Sequence, residues 1–344
     1  MIRTYNGPLM IDRYYAAACQ TDFPCAKHRR EIADRTARMC ELIEQTIVGY
    51  EPFFDVRLLV FPEFAHTAPI YDNIPQLREQ LAVELPNEHT DRYAALAKKH
   101  GCYIQTGTFL EVDPKYPQVL FNTTALIGPG GMLSRYRKVN PWLPWELHAS
   151  PHDLPHYEED PFPVVDTEIG RLGVATCYDW LFPESIRQIA FQGAEIIARV
   201  SAYMDPWGAT PPMDWWTMFN RVRAVENTTY VVAANQGASL RHYPPFSWPG
   251  GSMVVDYDGR ILAQADVGPG EKIVVAPIDL AALRAERTRR TGHDMRAHLR
   301  SEVHDYLHTP RLPRPEESDH PMTLDGNRRR IDAAQQNLKT DRNQ

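Results

Sequence analysis

Three polar residues stand where predicted strands end: Glu63 in "LLVFPEF", Lys138 in "SRYRKVNPWLPWE" and Cys177 in "GVATCYDWLFPE". Each alone is ordinary, since a strand-end cysteine usually packs as a small hydrophobe. As a set they meet one chemical need. A thiol with an ordinary pKa of about 8.5 is protonated at neutral pH, so attack on a stable carbon–nitrogen bond needs a base beside the thiol and positive charge at the developing oxyanion. Glu63 can be the base, Lys138 the charge and Cys177 the nucleophile. The turn from the strand into a helix starting at Pro183 also leaves the backbone N–H of Tyr178 free as a second oxyanion donor. This is acyl transfer, and it calls for neither a metal nor an organic cofactor.

The elements that must position these groups follow from periodicity. Apolar runs of strand length alternate with longer segments of helical period, the pattern of an α/β protein. Strands are expected over Tyr14–Gln20, over Val56–Phe64 up to Pro62, over "YIQTGTFLEV", into Cys177, over "AEIIARVSA" and over "TYVVAANQG". Helices are expected over Arg29–Val48, from Thr90 as N-cap to Gly101, over Pro183–Gly193 and near Trp215–Glu226. Two hairpins turn at Gly128-Pro129-Gly130-Gly131 and at Asp258-Gly259. The order reads as a half repeated, which predicts two sheets packed face to face with helices outside, in one domain over residues 1–309. Residues 310–344, starting "PRLPRPEESDHP", are polar and Pro-rich, with too few apolar groups to offset the entropy of folding alone. They read as disordered or laid along a neighbouring subunit.

Composition narrows the class. The chain has 344 residues, 43% hydrophobic and 24% charged, with a formal net charge of −7, so no basic footprint points to nucleic acid or an anionic membrane. Cys19, Cys25, Cys40, Cys102 and Cys177 are scattered without a CxxC pair, which argues for free thiols in a reducing compartment. With no apolar run of membrane-spanning length and no signal-like stretch at "MIRTYNGPLMIDRYY", the expected location is the cytoplasm.

"FPEF", "YRKV" and "CYDWLFPE", followed by "RAVENTTYVVAANQ", resemble the nitrilase superfamily of carbon–nitrogen hydrolases over roughly Tyr14–Leu307. The resemblance implies a four-layer αββα sandwich and a Glu-Lys-Cys triad. "RYRKVNPWLPWE" and "ARVSAYMDP" are closest to the aliphatic amidase and formamidase branch, which implies an amidase acting on a small or medium carboxamide through a cysteine thioester. Carried over by motif, Glu63, Lys138 and Cys177 are base, oxyanion lysine and nucleophile, and Glu146 positions substrate or water. Phe64, where the branch commonly has Tyr, and Trp142 line the pocket, with Tyr203 in "ARVSAYMDP" beside them. The resemblance also implies a homo-oligomer, built on a dimer through the helix Pro183–Gly193.

Competing readings attach to particular residues. Cys19, Cys25, Cys40 and Cys102 read as packing thiols. His148, His152 and His156 have a metal-like rhythm, but Pro151 and Pro155 break any helix that would align them. His304 and His308 are at i, i+4 spacing without a general-base acid after the first, and Glu184 reads as a first-turn helix acid. Trp142, Trp145, Trp180 and Trp207 are either core aromatics or the walls of an acyl pocket. No arginine follows Cys177 closely, which disfavours N-carbamoyl amino acids, and the Tyr178-Asp179 pair disfavours a nitrilase. Those two activities rank behind an amidase, and an inert binding module of the same fold ranks last.

Overall fold

In the computed structural model, which describes residues 10–23, 26–67, 73–238, 248–315 and 322–341, the layering follows from alternation along the first two strands. In β1 (Arg13–Gln20) and β2 (Val56–Val60), Ala16, Ala18, Leu58 and Val60 share one buried cluster with Val174, Val200, Val231 and Met253. Ala17, Cys19, Leu59 and the adjoining Phe61 share another with Ile32, Met39, Ile43, Tyr93 and Ala97. A strand buried on both faces has no polar side, so it reads as a continuous apolar run.

One sheet has the order β13 (Lys272–Asp279), β1, β2, β3 (Tyr103–Gln105), β5 (Phe121–Gly128), β4 (Phe109–Glu111), with β6 (Gly131–Arg137) also on β5. The other runs β12 (Ile261–Gln264), β11 (Met253–Val255), β10 (Tyr230–Asn235), β9 (Ile196–Ser201), β8 (Gly170–Thr176), β7 (Val164–Thr167). The central strands β1–β2–β3 and β8–β9–β10 are parallel, and their neighbours are antiparallel, so both sheets are mixed. Helices α1 (Arg30–Tyr50) and α3 (Glu88–His100) cover the first sheet, while α4 (Pro183–Phe191) and α5 (Trp215–Asn227) cover the second. Between α1 and α3 a short helix, α2 (Ile74–Gln80), starts at Asn73, and α6 (Leu280–Arg289) follows β13. This is the expected sandwich. Helix α1 buries Ile32, Thr36, Met39, Ile43 and Thr46, a stripe at helical spacing.

Local details differ from the sequence reading. Helix α3 begins one turn earlier: Asn87 is its N-cap, accepting from the His89 and Thr90 N–H groups, and Thr90 answers by accepting from the Asn87 N–H. Both residues are good caps, and the reciprocal box decides between them. "YIQTGTFLEV" is two strands, broken at Thr106-Gly107-Thr108 because the chain there passes against the turn after β2. His304 separates two short 3-10 turns and His308 ends the second, so no α-helix aligns them. In the polar tail, Leu324–Asp341 forms a helix, α7, seated on loops of its own chain. Its stripe Leu324, Asn327, Arg330 gains partners only in the folded chain, so composition does not reveal it. No helix among the described residues is long and apolar enough to cross a membrane. Cys25 lies outside the described residues.

Candidate active site

The site forms where the central parallel strands of both sheets end. Past β2, Pro62 stops the ladder and the chain turns through Phe64, whose φ of 57° is unusual for a residue with a side chain. The Phe64 N–H is held by Thr108 Oγ1 at 2.9 Å. Residue 107 must be glycine here, because a Cβ would lie 2.4 Å from Ala65 Cβ and 2.5 Å from the Pro62 carbonyl oxygen. The turn aims Glu63 inward, where it is 1% exposed.

Cys177 opens a 3-10 turn, Cys177–Leu181, directly after β8, with φ of 45°. Holding a non-glycine residue there costs about 1–3 kcal/mol, which the surrounding contacts must offset. Asp179 supplies several of them. Its Oδ2 accepts from the Thr176 N–H at 2.9 Å and the Tyr136 hydroxyl at 2.6 Å, and its Oδ1 from the Asn140 N–H at 2.7 Å. Asp179 thus ties the Cys177 turn to the chain on either side of Lys138. In such a turn the first N–H groups, Tyr178 among them, precede the internal ladder.

Lys138 follows β6 and is 1% exposed. Its Nζ donates to Glu63 Oε1 and Glu146 Oε1, both at 2.8 Å. Glu63 Oε1 also accepts from Asn122 Nδ2 at 2.9 Å, and its Oε2 from the Ala202 N–H at 3.1 Å. Glu146 Oε2 accepts from the Trp142 N–H at 2.6 Å and lies 3.1 Å from His148 Nε2. Cys177 is 2% exposed, and its thiol feels the charges of Glu63, Lys138 and Glu146. The four residues singled out for chemistry therefore meet in one buried cluster.

The electrostatics sort the protons. Burial, helped by the Glu146 charge, raises Glu63 above the usual carboxylate range against the pull of Lys138. Burial and then the Glu63 charge push the Cys177 thiol up, opposed by Lys138. Burial pulls Lys138 down, but Glu146 and Glu63 outweigh it and keep the ammonium charged. Burial lifts Glu146, yet Lys138 and His148 overcome that and bring it down to about 2. These directions favour an ionised Glu146, a charged Lys138 and a protonated Cys177 thiol. Such a cluster costs several kcal/mol per ion in desolvation, so stability alone is a poor reason for it.

The aromatics divide. Phe64, Trp142, Trp145, Trp207 and Trp248 form one cluster with Ala202 and Met204. Trp142 meets Trp207 edge-on at 4.6 Å, and Trp145 stacks on Trp248 at 6.1 Å. The half-buried Tyr178 packs its ring on Phe182 and Trp207. Tyr203 is fully buried with its ring 5.3 Å from Trp207. Trp180 departs from the pocket role: it is fully buried, its indole N–H donates to the Ala175 carbonyl at 3.0 Å, and Arg199 lies over its ring. Its apolar bulk serves the core behind the Cys177 turn.

Sequence reasoning missed Asn122, the Ala202 N–H and Trp248, which carry no local signature, and the contacts that Asp179 and His148 make. His148 was read as one of three spaced histidines, whereas the fold buries it against Glu146 and leaves His152 on an outer cleft. Cys19 and Cys102 are buried and free, pushed up to about 12 by burial, and Cys40 is free and half-buried.

The carbon–nitrogen hydrolase family profile matches residues 15–288. Formamidases of Bacillus cereus (strain Q1) and Bacillus thuringiensis (strain Al Hakam) are each 30% identical over 273 residues, 78% of this chain and 74% of theirs. Saccharomyces cerevisiae Nit3, a member of branch 10 of the nitrilase superfamily, superposes with a TM-score of 0.68 at 26% identity, over 84% of this chain and 98% of that one. An amidase from Nesterenkonia sp. shares the fold at a TM-score of 0.64 and 21% identity, over 88% of this chain and all of its own. From the ordered strand-end motifs, the paired mixed sheets and this match across most of its length, the chain belongs to the carbon–nitrogen hydrolase family.

Proposed function

We propose that this protein is an amidase that converts a small or medium carboxamide to the carboxylate and ammonia through a Cys177 thioester. The observation that carries the reading is Lys138 Nζ, held at 2.8 Å by both Glu63 and Glu146 beside a buried thiol. The formamidase relatives support a carboxamide as the substrate class.

In this reading Glu63 takes the Cys177 proton as sulfur attacks the carbonyl carbon. The carbonyl π pair moves to oxygen, where Lys138 and the Tyr178 N–H stabilise the charge. As the carbon–nitrogen bond breaks, Glu63 returns its proton to nitrogen and ammonia leaves. Water, deprotonated by Glu63 and held by Glu146, then attacks the thioester and releases the acid and the thiol. The raised Glu63 pKa suits it to both proton transfers, because a base poised nearer neutrality gives its proton back more readily. The aromatic cluster around Phe64 and Trp142 supports an acyl group larger than formyl or acetyl.

The test is ammonia release from amides of increasing acyl size, with ureas and nitriles in parallel. We expect turnover of amides, higher kcat/KM for propionamide or aryl amides than for acetamide, and a loss of about 10⁴-fold or more in Cys177→Ala. Preference for acetamide sinks the pocket reading. Turnover of ureas or nitriles alone moves the protein to those activities, and silence on all three favours a binding module.

A further inference from the structure

We infer that Asn327, on the C-terminal helix α7, is a positioning residue for Glu146, which makes the tail beyond the matched family region part of the active site. Glu146 lies on an irregular stretch where the Trp145 and Glu146 N–H groups both donate to the Trp142 carbonyl. Its carboxylate is held from inside by Lys138 and the Trp142 N–H. Its backbone is held from outside by Asn327, whose Nδ2 donates to the Leu143 and Glu146 carbonyl oxygens, both at 2.9 Å. The Asn327 side chain is buried, and a buried amide is costly unless bonded, so this geometry is specified and not incidental.

Independent contacts bracket the same stretch. Leu324 packs in the cluster of Leu147, Leu120 and Leu77, and Met322 packs with Ala149 and Phe121. Arg330 donates to Asp153 Oδ1 at 3.3 Å and to the Pro313 carbonyl at 2.8 Å. Leu324, Asn327 and Arg330 recur at i, i+3, i+6, which puts them on one helix face. That face spans residues 143–153, with Asn327 at the carbonyl of Glu146 itself. Anchoring the tail would need only the Leu324 contact; the two-carbonyl clamp fixes the peptide that carries the carboxylate.

The test is iodoacetamide alkylation of Cys177, followed by peptide mass across pH in wild type, Asn327→Ala, Glu146→Gln and the double variant. It needs no amide turnover, so only the kcat arm below rests on the amidase reading. With Glu146 neutralised or displaced, Lys138 keeps more of its charge for the thiolate, and the alkylation midpoint falls by about one pH unit in Glu146→Gln. Asn327→Ala moves it in the same direction, and the double variant moves it no further than Glu146→Gln. On an amide substrate, Asn327→Ala lowers kcat about tenfold with KM changed less than about twofold. Asn327→Ser, which keeps one donor, shifts less and covers the case in which the alanine variant does not fold. An unchanged midpoint in folded Asn327 variants, or a shift that adds in full to that of Glu146→Gln, overturns the inference. If wild type turns over no amide while both variants shift the midpoint, the amidase reading falls and the positioning role stands.

Discussion

At the scale of single residues, the site is a problem of placing protons in a medium that resists charge. Two carboxylates share one ammonium, and their surroundings push them apart: Glu63 upward and Glu146 down to about 2. Divergent pKa values in a pair of acids are the usual mark of divided roles. Glu63 must be ionised to act as base, so the acid limb of kcat/KM should lie above the ordinary carboxylate value of about 4.3. Asn122 donates to the charged form of Glu63 and so lowers its pKa. Replacing it with alanine should move the acid limb to higher pH, read from a kcat/KM–pH profile; a limb that stays or moves down contradicts Glu63 as the base. Glu63, Lys138 and Cys177 were legible because each ends a predicted strand in a recognisable motif. Asn122 was not, since an asparagine inside a strand announces nothing until its neighbours are known.

At the scale of elements, the site depends on where strands stop. Pro62 ends β2 one residue before Glu63, and the left-handed turns at Phe64 and Cys177 aim side chains away from the sheets. Gly107 is the counterpart of that design, because the β3–β4 link passes too close to the turn for any Cβ. Gly107→Ala should destabilise by about 2 kcal/mol or more, since the clash is with backbone and a packed methyl. It should also lower kcat by displacing Glu63. Gly49→Ala is the control: nothing lies within 4 Å of a Cβ built there, in the last turn of α1, so Tm should stay level or rise slightly. Equal Tm values for the two variants would refute the steric account. The split of "YIQTGTFLEV" was unreadable from alternation, because Gly107 breaks the strand through a tertiary contact.

At the scale of the molecule, the site exists only when the two sheets meet. Glu63, Asn122 and Lys138 come from the first sheet and its loops; Cys177, Ala202 and Gln236 come from the second. The Gln236 side chain donates to the Glu63 carbonyl at 2.9 Å, and Trp248 donates to the Ala202 carbonyl at 2.7 Å, so the second sheet also supports the Glu63 turn. The expectation of a homo-oligomer through α4 stands as a proposal, supported by the exposure of Phe191 on that helix and of Met218 and Val222 on α5. Light scattering should give a particle heavier than the 39.4 kDa chain, and Phe191→Asp should reduce it. A monomer in both cases would dispose of the proposal.

The sequence by itself determined the alternation of strands and helices, the two hairpins, the paired-sheet sandwich and the three strand-end residues fit for acyl transfer. Those follow from short-range rules: side-chain period, turn chemistry and residue type are all read within a window of a few residues. The tertiary structure alone decided which groups satisfy Glu63, that Asp179 pins the Cys177 turn, that Trp248 joins the aromatic cluster while Trp180 stays out of it, and that a polar tail becomes a helix against Glu146. Each is a contact between distant parts of the chain, whose distance is set by how the layers pack and not by any local pattern.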